Sequence, residues 1–250
     1  MRSRGPCRSR RWRAVAAFAV LVVVAASLHA AAEPLPRQKE LDKIETAIVK
    51  GKWSTALRQC DRTTAAIGTS RSEAPNPPAF FAELLARCAV AAFHDGDAAH
   101  ASWLRHSAHI FDSAIAAATI ARLAPKVAMP PIRTATRYAY KPGPNGALYP
   151  LRTPGDEVFD GAPPMKFLTP PPDPGRLLQF GTKARLSVEV IIGLDGGVRE
   201  PVLRANEGCT PSQAFEILRA FEGWRYEPAR RAGEPAEIAY ELTIKFGGRG

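Results

Sequence analysis

The chain has 250 residues, 23% of them charged, and a formal net charge of +10. Six arginines lie within the first 13 positions and no acidic residue precedes Glu33, so residues 33–250 carry only 28 basic against 24 acidic side chains. This near balance, without a basic stripe interleaved with aromatic residues, argues against nucleic acid as a partner. No nucleophile-elbow, Walker or dinucleotide-binding motif occurs, so we predict neither an enzyme nor a cofactor.

Residues 1–32 are predicted to be an export segment. The six arginines precede an uninterrupted run of Ala, Val, Leu and Phe at positions 14–26, which an Ala-x-Ala site follows. This pattern is typical of a cleaved signal peptide. A retained anchor needs about 20 apolar residues, a length approached only by including Ser27 and His29. Both alternatives stay open, and both place residues 33–250 in or facing the periplasm, because the arginines stay in the cytoplasm.

Residues 38–124 are predicted to form four or five helices stacked as antiparallel pairs. Alanine is frequent, and apolar residues recur three and four positions apart. The segments GKWSTA, from Gly51, and GDAAHA, from Gly96, are similar to the turn between the two helices of a tetratricopeptide repeat. Stacks of such repeats present a concave peptide-binding surface. The alternative is a plain helical bundle that acts as a spacer.

Two sets of side chains in this helical region have more than one interpretation. Cys60 and Cys88 are either a disulfide between two helices, as an oxidising periplasm allows, or two small buried apolar residues. Four of the five histidines lie within positions 94–109, and His106 and His109 share a helix face at a spacing that metal sites use. The four do not all share one face, so we predict a solvated or lightly packed helix and no metal site.

Residues 125–169 are predicted to be a proline-rich linker. Thirteen of the 23 prolines lie between positions 125 and 174, and proline is excluded from helix interiors and from central strands. In polyproline II geometry a segment of this length spans on the order of 150 Å.

Residues 170–247 are predicted to form a two-layer domain with a three-stranded sheet and one main helix, which makes the fold class of the chain α+β. Apolar residues alternate over 186–192, as in a half-buried strand. A Gly-rich hairpin turn follows at 194–197, and Pro201 weakens the next strand or marks an edge. A capping box at 210–213 precedes a helix whose apolar stripe comprises Ala214, Ile217, Leu218, Phe221 and Trp224.

The last predicted strand covers residues 238–246 and alternates with a period of two. One face comprises Ile238, Tyr240, Leu242, Ile244 and Phe246, which we expect to point into the core. The other face comprises Ala239, Glu241, Thr243 and Lys245, which we expect to point outward.

The order of these elements resembles the C-terminal domain of TonB-family energy transducers. The most specific part is the run from Trp224 to Ala229, WRYEPA, with a Gly- and Pro-containing turn after it. Family members carry a similar aromatic-basic-aromatic-x-Pro-Ala run, so the resemblance assigns a structural role to Trp224, Arg225, Tyr226, Pro228 and Gly233. Two positions depart from the family pattern: Asp173 replaces a tyrosine, and Ala184 stands where a glycine commonly precedes the first strand.

The resemblance implies a protein-binding module. In this family the last strand, here residues 238–246, would take up a segment of an outer-membrane TonB-dependent receptor by strand addition. With a retained anchor, the protein would transduce energy from an inner-membrane proton-channel complex, although the family's Ser-x-x-x-His anchor pattern is absent. With a cleaved N-terminus, it would be a soluble periplasmic adaptor or scaffold. An open edge strand also allows a homodimer.

Overall fold

The computed structural model describes residues 37–69, 76–126, 129–133, 139–142, 148–151, 167–169, 184–231 and 233–246. These residues form an α+β fold in which five helices precede a three-stranded antiparallel sheet with its own helix, which confirms the predicted fold class. Within these ranges, no helix has both the length and the apolar character that a membrane crossing requires. The predicted export segment lies outside the described residues.

The helical part contains two hairpins and a fifth helix. Its elements are α1 (Gln38–Val49), α2 (Trp53–Thr69), α3 (Pro78–Asp95), α4 (Ala98–Phe111) and α5 (Ser113–Leu123). Gly51 and Gly96, the two glycines of the similar turn segments, connect α1 to α2 and α3 to α4 with φ of 63° and 95°. Glycine adopts this left-handed conformation without the steric cost that a Cβ atom brings. The predicted organisation into helical hairpins is therefore confirmed.

Ionic and covalent links hold the hairpins together. A disulfide joins Cys60 of α2 to Cys88 of α3, with 5.9 Å between their Cα atoms. Arg87, only 3% exposed, pairs with Glu45 of α1 at 2.8 Å and with Glu83 at 2.5 Å. Glu45 also pairs with Arg122 of α5, and the hydrogen bond from Arg122 is the main reason why the pKa of Glu45 is lowered. A single carboxylate thus connects α1, α3 and α5.

The rest of the fold, which we call the mixed part, contains strands and one helix. Its main sheet has three strands, β4 (Ala184–Ile192), β5 (Val198–Glu207) and β9 (Ile238–Phe246), in the order β5-β4-β9. The helix α6 (Pro211–Glu222) packs on one face of this sheet. Three two-stranded ribbons complete the described strands: β1 (Ala139–Pro142) with β2 (Leu148–Leu151), β3 (Phe167–Thr169) with β6 (Arg225–Tyr226), and β7 (Ala229–Arg231) with β8 (Glu234–Ala236).

The helix α6 begins at the predicted capping box. The backbone N–H of Gln213 donates to the Thr210 hydroxyl at 3.3 Å, and the Thr210 N–H donates to the Gln213 side chain at 2.8 Å. Every residue of the predicted apolar stripe is buried. Phe215 lies off that stripe and is buried as well, because α6 has a second neighbour on its other side.

The prediction that β4 is half-buried is wrong. Leu186, Val188 and Val190 face the core that α6 covers, as expected, but Ser187 and Glu189 on the opposite face are also only 0% and 1% exposed. They are buried because polar partners cover them: the Thr243 hydroxyl lies 2.6 Å from the Ser187 hydroxyl, and arginines pair with Glu189. The period of two identified the faces correctly, but it carries no information about what covers the second one.

The helical part and the mixed part belong to one compact unit, Leu35–Gly250. Each part contributes an aromatic residue to the other's core. Phe215 of α6 packs on Phe81 of α3 with 4.9 Å between ring centroids, and Trp103 of α4, 3% exposed, belongs to the core under the sheet. Met129, inside the predicted linker, packs against the helical core. The start of the proline-rich segment therefore lies against the helices and does not extend away from them.

A candidate binding edge of the sheet

The strand β9 has a partner on only one side among the described residues. It pairs with β4 in an uninterrupted antiparallel register that runs from Ala184 opposite Phe246 to Ile192 opposite Ile238. The sheet order makes β9 an edge strand. An edge strand presents a row of backbone N–H and C=O groups that another strand can bind.

The direction of these backbone groups follows from one close side-chain contact. The hydroxyl groups of Ser187 and Thr243 are 2.6 Å apart across the β4–β9 pair. Such a short distance indicates a non-hydrogen-bonded pair, in which side chains approach closely and the backbone N–H and C=O point away from the partner strand. The N–H and C=O of Thr243 are therefore directed at the open side of β9, and those of Glu241 and Lys245 follow by the period of two.

The side chains of β9 are unequally accessible. Thr243 and Lys245 are exposed, whereas Tyr240, Glu241 and Ile244 are half-buried. The buried residues are Ile238 and Ala239 at the start of the strand and Leu242 at its middle. Burial of Ala239, which was expected to point outward to solvent, corrects the sequence prediction, since its face of the sheet is covered at that end. The side chain of Phe246 lies outside the described residues.

Two tyrosines line the core side of this edge, Tyr240, which is half-buried, and Tyr226, which is buried. The Tyr240 ring lies 6.2 Å from the Tyr226 ring, centroid to centroid. Burial raises the pKa of Tyr240, and burial together with the neighbouring Tyr240 raises the pKa of Tyr226 well above its ordinary value. Both phenols are therefore neutral at physiological pH.

Two residues of the WRYEPA run, Trp224 and Tyr226, pack against the core of the mixed part. Trp224 is 7% exposed and packs edge-on against Phe221 with 4.6 Å between ring centroids. The Tyr226 N–H donates to the Gly196 carbonyl at 2.9 Å, and a Cβ atom at Gly196 would lie 1.8 Å from the Tyr226 carbonyl oxygen. Only glycine fits this approach. This hydrogen bond and this close approach hold the run against the β4–β5 hairpin turn.

The other members of the predicted motif lie nearer the surface. Arg225 is exposed, and its Nη1 donates to the Glu222 and Trp224 carbonyls at 3.0 and 2.8 Å. Pro228 is half-buried just before β7. Gly233 lies in the β7–β8 turn with φ of 83°, where a residue with a Cβ atom would be strained.

The opposite edge strand, β5, is shielded. The helix α4 packs against it, and the pairing of β4 with β5 shifts register between Glu189 and Ile191. At this bulge Arg133 donates from Nη2 to the Glu200 carbonyl at 2.8 Å and to the Glu189 carbonyl at 3.3 Å. Glu200 has φ of 50°, a strained value for a residue with a side chain. Arg133 therefore supplies donors where the ladder is interrupted.

A buried ionic cluster anchors Arg133 in this position. The Glu189 carboxylate, 2% exposed, pairs with both Arg133 and Arg204, and the Arg133 N–H donates to His106 Nε2 at 3.1 Å. His106 Nδ1 donates in turn to the Ser102 carbonyl at 2.8 Å. Burial lowers the pKa of His106, which favours this neutral form. Helix α4, the proline-rich segment and the sheet thus meet at one cluster.

The histidines of the helical part serve separate contacts. His94 stacks on Trp53 with 4.2 Å between ring centroids, His100 pairs with Glu222 of α6, and His109 Nδ1 donates to the Arg105 carbonyl at 3.0 Å. Among the residues that the structure describes, no three His, Cys, Asp or Glu side chains are grouped closely enough to hold a metal ion.

Comparison with known proteins identifies no relative: no family model, no curated protein and no solved structure matches the chain. The functional proposal therefore rests on the geometry. Two residues that determine this geometry, Arg133 and Phe215, were not identified from the sequence. The sequence does indicate a role for Phe215, because it is a large apolar residue on the polar side of an amphipathic helix. Nothing in the proline-rich segment indicates a role for Arg133.

Proposed function

We propose that this protein is an exported binding protein, not an enzyme, that takes up an extended segment of a protein partner along the open side of β9. The observation that carries the proposal is the unequal state of the two sheet edges. Within the described part of the chain, β5 is shielded by α4 and Arg133, whereas β9 has one neighbour.

The stretch of β9 best suited to this role is Tyr240–Lys245. Its exposed and half-buried side chains border backbone groups directed away from β4. An added strand gains main-chain hydrogen bonds along β9, and its alternate side chains lie beside Tyr240 and Ile244 on the core side. The partner segment would therefore alternate apolar and polar residues.

The resemblance to TonB-family C-terminal domains suggests the partner. It is the N-terminal segment of an outer-membrane TonB-dependent receptor, and with a retained N-terminal anchor the protein would transmit force from an inner-membrane proton-channel complex. This part of the proposal depends on the WRYEPA run and the order of the elements.

A second candidate, a soluble periplasmic adaptor, draws on a separate observation. The helical hairpins pack on α6 through Phe81 and Phe215, and they contribute Trp103 to the core that contains the sheet residues. One compact unit therefore contains both the helices and β9, as a scaffold requires. The mature N-terminus separates the two candidates: intact mass of protein from a fractionated Gram-negative host gives either a chain that begins near residue 33 in the soluble periplasm or a full-length chain in the inner membrane.

Strand addition itself is tested by Thr243→Pro. Proline removes the N–H directed at the open side and leaves the β4–β9 hydrogen bonds in place. The probes are synthetic peptides that copy the N-terminal segments of the host's TonB-dependent receptors, measured by calorimetry. We expect Thr243→Pro to weaken binding at least about tenfold, which corresponds to about 1.4 kcal/mol.

The matched control is Thr243→Val, which keeps the backbone N–H and the β-branched shape while losing the Ser187 contact. It should bind within about twofold of the parent protein. Equal affinities for the proline variant and the parent, with the proline variant folded by circular dichroism, would exclude β9 as the binding edge.

A further inference from the structure

A cavity of about 510 Å³ opens between α4 and α5, away from the sheet edges. Ile120 and Ala124 are buried and form its floor, while Ala117 and Ala121 are exposed at its rim. Two basic side chains from α4, Arg105 and His109, complete the wall, together with one proline. The wall thus combines methyl and methylene groups with two nitrogen-rich groups, and none of the described residues that line it is acidic.

Arg105 brings an uncompensated charge to this cavity. It forms no ion pair with any residue that the structure describes, and its Nη1 donates to a neutral group, the Pro130 carbonyl. Its Nε is buried without a hydrogen-bond partner in the same described set. Burial lowers the pKa of Arg105, yet a guanidinium stays protonated at any physiological pH. A partly buried cation without a counter-ion favours an anionic ligand.

His109 adds a second polar group to the wall. Its Nδ1 donates to the Arg105 carbonyl at 3.0 Å, which fixes the orientation of the ring. Nε2 is the remaining ring nitrogen. The cavity thus offers one permanent cation and one further ring nitrogen that can form a hydrogen bond with a ligand.

We propose that this cavity binds a small carboxylate on a short aliphatic body, either a free organic acid or the C-terminal residue of a peptide. The carboxylate pairs with Arg105, and the aliphatic body covers the methyl groups of Ala117, Ala121 and Ile120. Ligand sites combine apolar walls with a few convergent polar groups in this way. Inorganic phosphate fits less well, since a strongly hydrated anion gains nothing from apolar walls.

The first test is a titration of the full-length chain with butyrate, followed by ¹⁵N–¹H correlation spectra. Butyramide, which has the same shape without the charge, is the matched ligand control. We expect saturable shifts confined to amides of α4 and α5, with a Kd on the order of 1 mM for so small a ligand, and at least about tenfold weaker binding of butyramide. Equal shifts with both ligands, or tighter binding of inorganic phosphate, would overturn the proposal.

Variants decide whether the cavity itself is the site. Ala121→Glu places a carboxylate at the rim while keeping Arg105, and it should weaken butyrate binding at least about tenfold by competing for the guanidinium. Ala118→Glu makes the same charge change at an exposed position of α5 outside the wall, and it should stay within about twofold of the parent. If both variants lose butyrate affinity equally, net charge causes the loss, which would contradict a site in the cavity.

The source of the carboxylate is decided by a dipeptide. The probe is N-acetyl-alanyl-valine. If it binds more tightly than butyrate and loses that advantage when its carboxylate is amidated, the ligand is a peptide C-terminus. Binding no tighter than that of butyrate identifies a free acid. Arg105→Gln should abolish the binding of both butyrate and the dipeptide. If this variant still binds either one, the guanidinium does not have the proposed role.

Discussion

The two edge strands of the sheet differ in what lies beside them. β5 has the helix α4 against it and the Arg133 guanidinium on its bulge, whereas β9 is paired only with β4 within the described residues. Both strands are nine or ten residues long and antiparallel to β4, so the sheet alone does not distinguish them. The difference is made by segments that precede the sheet in the chain.

This comparison explains how one protein manages two open edges. Exposed edges promote unwanted pairing, and proteins cover them with helices, interrupt them with bulges or place proline and charge on them. β5 has a covering helix, a bulge and Pro201. β9 has two charged residues, Glu241 and Lys245, but a regular register. In our proposal the covered edge is the one that needs protection and the regular edge is the one that functions.

The largest expected effect comes from separating the helices from the sheet. Phe215→Ala removes the ring that packs on Phe81, and loss of a buried phenyl group should lower the free energy of unfolding by about 3–5 kcal/mol. Amides of β5 should then exchange with solvent nearly as fast as the outward amides of β9. Hydrogen exchange measured by NMR checks both statements.

The control for that variant is Phe93→Ala. Phe93 is partly buried at the border of the helical core, so its removal costs less and leaves α6 in place. If β5 protection falls equally in both variants, the helices do not shield β5 through Phe215.

An intermediate effect is expected at the buried ionic cluster. Glu189→Ala leaves the partly buried Arg133 and Arg204 without their shared carboxylate, and such a loss should destabilise the protein by about 3 kcal/mol. Glu207→Ala removes an exposed partner of Arg185 from the same sheet and should cost less than about 1 kcal/mol. Urea unfolding curves give both values. Similar values for the two variants would show that Arg133 does not anchor the covered edge.

The smallest effects concern two histidines at the junction, whose pH dependences run in opposite directions. Burial lowers the pKa of His106 below its ordinary 6.5. Its stabilising contribution is therefore present above pH 6.5 and is lost as the pH falls toward its folded value. A hydrogen bond to Glu222 raises the pKa of His100. Its contribution is present below pH 6.5 and is lost as the pH rises through its folded value.

Two variants measure these contributions. His106→Asn should destabilise the protein more at pH 8 than at pH 5.5, and His100→Gln should do the reverse, as read from unfolding free energies at each pH. Parallel pH profiles for the two variants would contradict the assigned contacts.

Local patterns made much of the fold predictable. The capping box at Thr210 and Gln213 and the turn glycines Gly51 and Gly96 are read from neighbours in sequence, and the structure has each of them. The same holds for the alternation that places Val188 and Val190 in the core. Phe215 and Ala239 were assigned incorrectly or not at all, because periodicity identifies the faces of an element but not what covers each face.

The sequence by itself determined the elements of this protein, their order and the apolar faces that they share, since these follow from backbone propensities and from hydrophobic spacing within short windows. The tertiary structure decided which edge of the sheet is shielded, where Arg133 is seated and which two helices enclose the Arg105 cavity. Those features depend on contacts between residues far apart in the chain, such as Arg133 with Glu189 and Phe81 with Phe215. No local pattern records such pairs, because their energy arises only when the segments meet.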